Sequence, residues 1–241
     1  MSKLLFGVII AMVFTGQSCD LISFETVHGN GTAGTQTRSV GDASKIESRG
    51  FFDVVIVKGS SSSVKIDADQ NLLQYIVTEN ENGKLVIRSK DGIEIKSDNK
   101  ILVTVTTPRL EEVQVAGSGN VTTNDTFDAP DHFKVGIAGS GNVTLALNTP
   151  KVEASIAGSG DINLSGETKD SRIDIAGNGN FKTENLKAEN VEVHIAGSGD
   201  ARVFASLNLD IHIAGSGNVY YKGTPAIKQS VAGSGNIQQI P

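Results

Sequence analysis

Asp174, His194 and His212 are the residues whose types and spacing come nearest to chemistry. Each stands three residues before the first glycine of a recurring pentapeptide, so stacking of the copies would put all three in one column. Arg172, Glu192 and Asp210 stand two residues earlier in the same copies and flank that column. Neighbouring histidines at sheet spacing can hold a transition metal or form a pH-sensitive surface. The competing reading is a solvated strand face whose histidines alternate with the core. No third strong ligand accompanies the pair, and a closed metal site needs more than two. The solvated face is therefore the expectation, with the five side chains Asp174, His194, His212, Arg172 and Glu192 kept as a candidate surface binding patch. No metal, cofactor or catalytic residue is assigned.

Other constellations are weaker. Asp161 and Asp200 occupy equivalent places but are two copies apart, with Asn180 between them. At ~4.8 Å per stacked strand they would sit roughly 10 Å apart, too far to share one calcium ion. A calcium-binding nonapeptide roll needs Asp about every nine residues, whereas Asn dominates here. A carbohydrate-binding face needs aromatic platforms, and Tyr220, Tyr221 and Phe204 are a poor supply. His28 and His132 have no evident partner. The Gly-x-Gly motifs precede strands, whereas phosphate-binding loops open helices. No Ser–His–Asp order, Cys–His pair or dinucleotide fingerprint is present. The formal charge of −6 argues against a nucleic-acid partner, which selects a basic stripe.

What positions these side chains is the pentapeptide itself, Ala-Gly-(Ser/Asn)-Gly-(Asn/Asp). It occurs at 116–120, 138–142, 157–161, 176–180, 196–200, 214–218 and 232–236. Its glycines are Gly117 and Gly119, Gly139 and Gly141, Gly158 and Gly160, Gly177 and Gly179, Gly197 and Gly199, Gly215 and Gly217, and Gly233 and Gly235. The first glycines are 22, 19, 19, 20, 18 and 18 residues apart, which is the signature of a repeat architecture. Two residues before each first glycine stand Val115, Ile137, Ile156, Ile175, Ile195, Ile213 and Val231. Four after stand Val121, Val143, Ile162, Phe181, Ala201, Val219 and Ile237. Apolar positions thus alternate with polar ones on both sides of the motif, so a strand enters and a strand leaves each corner. The glycines are expected to make the corner because they accept positive φ, helped by the adjoining Asn or Asp.

Two strands per ~19 residues make one coil of a right-handed parallel β-solenoid. An antiparallel meander would not set identical residues beside one another. The column five residues before each first glycine reads Glu112, Lys134, Glu153, Arg172, Glu192, Asp210 and Lys228. Its signs alternate almost throughout, which favours parallel stacking in register. The Asn/Asp positions would form a polar ladder along one edge.

The chain organises into four parts. Residues 1–18 read as a signal peptide: Lys3, then an apolar run at 4–14, too short to span a bilayer. Cys19, the only cysteine, follows it directly and resembles the lipidated cysteine of bacterial lipoproteins. Gly16 stands where those proteins usually carry an aliphatic residue. Residues 19–34 read as a flexible tether. Residues 35–107 read as a less regular β-rich module that covers the first coil, and the regular coils run over 108–241. The last coil shows no obvious cap, which leaves two alternatives: the open end pairs with another copy in an oligomer, or Gln238 and Gln239 blunt it.

The segments Phe52-Asp53-Val54-Val55-Ile56, Asp69-Gln70-Asn71-Leu72-Leu73 and Gly83-Lys84-Leu85-Val86-Ile87, together with the serial Ala-Gly-Ser-Gly-Asn motifs, resemble the GIN-domain family. These are exported proteins, common in Bacteroidetes, described as autotransporter adhesin heads. The resemblance covers residues 35–240. It implies a β-helix similar to the pectin-lyase solenoids and a role in adhesion, and it supplies no catalytic residues. The expectation is a non-enzymatic cell-envelope protein on a lipid anchor, probing a protein or glycan at the cell surface. The alternatives are a structural envelope component without a ligand and a solenoid-type carbohydrate-active enzyme.

Overall fold

The computed structural model describes residues 25–241. The expected signal peptide and Cys19 lie outside the described residues. The first strands are β1 (Glu25–His28), β2 (Ala33–Ser39), β3 (Lys45–Gly50), β4 (Asp53–Lys58) and β5 (Ser63–Asp69). Then come β6 (Ile76–Glu81), β7 (Lys84–Ser89), β8 (Ile93–Lys96) and β9 (Leu102–Thr107). The coils follow as β10 (Glu112–Gly117), β11 (Asn120–Asp128), β12 (Phe133–Gly139), β13 (Asn142–Gly158), β14 (Asp161–Gly177), β15 (Asn180–Gly197) and β16 (Ala201–Gly215). The chain ends on β17 (Val219–Lys222), β18 (Ala226–Gly233) and β19 (Ile237–Gln239).

The expected parallel solenoid is the fold. β13, β14, β15 and β16 each pair in parallel with the next, and like residues meet like: Ile156, Ile175, Ile195 and Ile213 form one column, and Ala157, Ala176, Ala196 and Ala214 the next. The isoleucines are buried. Phe127, Phe133 and Phe181 fill the wider parts of the interior. Buried Thr149 and Thr168 turn a second corner, their hydroxyls donating to the carbonyls of Lys151 and Asp170. The uneven repeat length is absorbed away from the glycine corner. Register shifts fall between Asn163 and Ser165 and between Thr183 and Lys187, while the residues approaching the glycines stay aligned.

The two glycines of each corner serve different ends. Gly177 has φ +129, as expected, and a Cβ there would also strike the carbonyl of Gly158. Gly179 does not have positive φ. It faces the interior, where a Cβ would meet the carbonyl of Gly160 and the Ile156 side chain. Close stacking, not backbone freedom, therefore requires the second glycine. The Gly158 carbonyl in turn accepts hydrogen bonds from the N–H groups of both Asn178 and Gly179.

The structure redraws the N-terminal boundaries. β3 pairs in parallel with β10, and β4 with β11. Residues 45–58 are thus a coil whose corner, Arg49-Gly50-Phe51-Phe52-Asp53, replaces three of the five motif residues but keeps the closing Asp and the first glycine, at φ +116. The Gly50 carbonyl accepts from Ser118 and Gly119 as later glycines do. The coils therefore start well before residue 108. The cap proper is β5, β6, β7 and β9 with β2: β7 and β9 extend the ladders of β3 and β4 in parallel, and antiparallel β2, β5 and β6 end them. Within the expected tether, residues 25–34 are not free chain. β1 pairs with β8, and β2 begins at Ala33 against Asp69. The Asn71 amide, donating to the His28 carbonyl, and the Gln70 N–H, donating to Thr32, fasten the stretch between them.

Candidate functional site

The entering strands of the coils present three outward columns. Nearest the glycine corner is an exposed row of alanines: Ala138, Ala157, Ala176, Ala196, Ala214 and Ala232. Beside it runs the column Ser155, Asp174, His194, His212 and Ser230, in direct Cα register. Because alanine is the shortest side chain that still covers the backbone, the taller column forms a wall. The result is an open groove of about 620 Å³ that crosses five coils, with Ala157, Ala176, Ala196 and Ala214 in its floor and His194 and His212 in its wall.

The two imidazoles stack, with centroids 4.8 Å apart and planes 13° from parallel. Each lies beside the carboxylate two residues before it on its own strand. His194 Nε2 lies 2.7 Å from Glu192 Oε1, and His212 Nε2 lies 3.1 Å from Asp210 Oδ1. Glu192 and Asp210 are themselves register neighbours, the one place where the charge column sets like beside like. The strain is relieved from both sides. Arg172 reaches Glu192 at 2.9 Å, and Lys228 reaches Asp210 at 3.0 Å. Arg172 also forks onto Asp174, with its Nε and one terminal nitrogen donating at 3.0 and 3.1 Å. The candidate patch is thus one connected network, to which Asp210 and Lys228 must be added.

The hydrogen bond from His194, aided by Arg172, holds the Glu192 carboxyl below the usual range. The hydrogen bond from Lys228 does the same for Asp210. Among the described residues, no three His, Cys, Asp or Glu side chains converge as a metal-ligand set. His194 spends a nitrogen on Glu192 instead, while His212 lies beside Asp210 without a hydrogen bond to it. With His194 35% and His212 39% exposed, their remaining edges are available to a ligand in the groove.

The other candidates resolve structurally. The Asn/Asp positions form a continuous ladder: the Asn120 amide donates to Asp53, the Asn142 amide to Asn120, and the Asn180 amide to Asp161. The Asp200 N–H donates to Asn180, and the Asn218 amide to Asp200. Asp161 and Asp200 are consequently held apart by Asn180. Burial raises the Asp161 carboxyl, but hydrogen bonds from Lys182 and Asn180 outweigh it and leave the group below its ordinary range. A second ladder, Asp170–Asn190–Asn208, runs along another edge. Each of its residues stands seven before a first glycine, but the adjoining coils carry Lys151 and Ala226 there, so the column is not uniform in the sequence. Tyr220 lies under the Arg202 guanidinium, 5.1 Å away. His132 finds Glu153 at 3.5 Å. Asp53, the first rung, was missed because its corner lacks three of the motif's flanking residues, although Gly50 and Asp53 keep the motif's spacing.

Comparison with known proteins agrees with this architecture. Residues 42–225 match the family described as "Putative auto-transporter adhesin, head GIN domain". A solved structure from Bacteroides fragilis, described as a putative adhesin, superposes with a TM-score of 0.83 at 24% identity. It covers 89% of this chain and 100% of its own. A structure from Parabacteroides merdae, described as a putative adhesin, gives 0.71 at 27% identity over 90% of this chain and 99% of its own. One from Parabacteroides distasonis, described as a putative lipid binding protein, gives 0.72 at 27% identity over 90% of this chain and 100% of its own. No curated protein matches. Among the described residues, no helix is long and apolar enough to cross a membrane.

Proposed function

We propose, on the premise that the chain belongs to the GIN-domain family, that it is a non-enzymatic interaction module of the cell envelope whose binding site is the alanine-floored groove. The carrying observation is the groove's form: apolar along its floor, polar along one wall, and continuous over five coils. An enzyme concentrates reactive groups at one point in an enclosed pocket. This surface spreads modest contacts over a length, as an interaction face does. Glu192 and Asp210 are ion-paired with Arg172 and Lys228, an arrangement that suits a structural network along the wall. A protein segment or a glycan chain is the partner class that fits a linear groove edged by hydrogen-bonding side chains.

The anchor belongs to the same proposal. Cys19 precedes Glu25, the first paired residue among those described, by six positions, a reach of about 20 Å at full extension. A lipid on Cys19 would hold the cap end close to the membrane, with the coils leading away from it. Radiolabelled fatty acid should enter the wild-type chain and not Cys19→Ser.

The groove is tested by filling it. Ala196→Trp places an indole over the exposed alanine column without touching the core. On arrays of glycans and envelope proteins, the full chain should retain a partner that the variant loses by about tenfold or more. Equal retention by both would move the site off the groove. Retention of nothing by either would favour a structural envelope component.

A further inference from the structure

Among the described residues, the coil that ends on β18 and β19 has a neighbour on one side only: β18 pairs with β16, and β19 with β17. Every residue of β18 is exposed, Ile227 and Val231 at 42% and 40%. These two continue interior columns, Ile227 that of Leu209 and Val231 that of Ile213. The outer edge of β18 therefore offers a row of backbone donors and acceptors together with apolar side chains that elsewhere are covered by the next coil.

Strand edges are commonly protected by charge, irregular geometry or covering chain. The cap end has such protection: antiparallel β2 and β6 close it, bearing Arg38, Glu79 and Glu81. Residues 226–241 carry one charged side chain, Lys228, and its ammonium is engaged by Asp210. Because the strands that end the cap carry Arg38, Glu79 and Glu81, head-to-tail stacking would set the apolar β18 edge against charge. An isologous contact needs only the β18 edge.

We propose that β18 pairs antiparallel with β18 of a second copy about a twofold axis at Gln229. Side-chain parity sets this register. The interior positions are Ile227, Gln229 and Val231, and only an odd-with-odd pairing keeps both interiors on one side of the shared sheet. Centring on Gln229 sets Ile227 against Val231 of the second copy, twice, and Gln229 against its own counterpart. The glutamine in an otherwise apolar column is then accounted for, since two amides facing across the axis satisfy each other. Lys228 faces Ser230 of the second copy rather than another lysine, so no like charges are directly opposed. The groove reaches β18 at Ser230 and Ala232, so the pairing brings two grooves to one seam. A repetitive partner could then engage both, with the gain in avidity that follows.

The test uses the full chain in detergent, carrying Cys19→Ser so that no thiol remains. Sedimentation should show a dimer at tens of micromolar, and Val231→Glu and Ile227→Lys should each weaken it by about tenfold or more. Their melting curves distinguish lost pairing from lost folding. Gln229→Cys should cross-link to its own copy under mild oxidation, since directly opposed strand positions lie within disulfide reach, and Lys228→Cys should not. A monomer at every concentration overturns the proposal. So does a dimer that both charge variants leave intact, or one in which Lys228→Cys cross-links and Gln229→Cys does not.

Discussion

The imidazole rings of His194 and His212 stack at 4.8 Å because the strands that carry them are in direct register. Beneath them, Glu192 and Asp210 stand side by side, each beside a histidine of its own strand and held by a cation from the coil beyond. The two like-charged rungs are tolerable only as part of this network.

Its pH dependence has a definite sign. The Glu192 and Asp210 carboxyls titrate below their unfolded values, chiefly through the hydrogen bonds from His194 and Lys228 respectively. Their contribution is present above the unfolded carboxylate pKa and is lost as pH falls through the lower, folded values. Because these groups are partly exposed, each effect is small. Thermal midpoints should fall as pH drops below about 4, and Glu192→Gln should make that fall shallower. An unchanged acid limb in the variant would remove Glu192 from the account.

The glycine corner makes a sharper prediction. Gly177→Ala forces an L residue to φ +129 and drives a Cβ into the Gly158 carbonyl. Gly179→Ala has ordinary φ but strikes the Gly160 carbonyl and Ile156. Strain of the first kind costs about 1–3 kcal/mol, and overpacking of the second kind costs about 1–3 kcal/mol. Both should lower stability in urea unfolding, while Ser198→Ala, at an exposed corner position, should change it by less than about 0.5 kcal/mol. If Gly179→Ala matched Ser198→Ala, the inward reading of the second glycine would be wrong.

The polar ladder should behave as a chain of modest contacts. Asn180 donates its amide to Asp161 and accepts from the Asp200 N–H. Asn180→Ala breaks both, at about 1–2 kcal/mol by unfolding, and frees Asp161 from one of its donors. The companion observable is amide exchange: protection of Asp200 should drop with no change at Gly215, at the far end of β16, where the pairing with Gly197 does not involve the ladder. Loss of protection across all coils would mean that the ladder nucleates the fold.

Aromatic residues separate surface from core. Phe51 stands where the regular corners carry Ser, is 42% exposed and stacks on buried Phe52 at 5.0 Å. Phe51→Ser should cost less than about 1.5 kcal/mol, the upper worth of an aromatic pair beyond burial. Phe181→Ala, in a fully buried column, should cost about 3–5 kcal/mol. Calorimetry that ranked them the other way would contradict the packing.

The coil architecture was legible in the sequence because a parallel stack repeats its requirements: Ile156, Ile175, Ile195 and Ile213 face one another, so each coil asks for the same residue at the same place. The first coil was hidden because Phe51 and Phe52 replace the Ser and Gly of the corner, leaving only Gly50 and Asp53 to mark it. Strand β1 was hidden because its pairing partner lies 68 residues away, as in Glu25 with Ile93. No local pattern records such a contact. The histidine column could be read from spacing alone. The groove beside it could not, because its depth comes from the alanines, which read as part of a turn motif rather than as a floor.

The proposal that this chain is an interaction module of the cell envelope with a partner at the cell surface is tested most directly by which side of the envelope the coils face. Intact source cells should be treated with a membrane-impermeant amine reagent, and the protein then recovered and mapped. Lys100 and Lys187, 90% and 71% exposed, are the reporters. Labelling of both on intact cells is the predicted result. Labelling only after the outer membrane has been opened would contradict it and place the groove in the periplasm, away from any external partner.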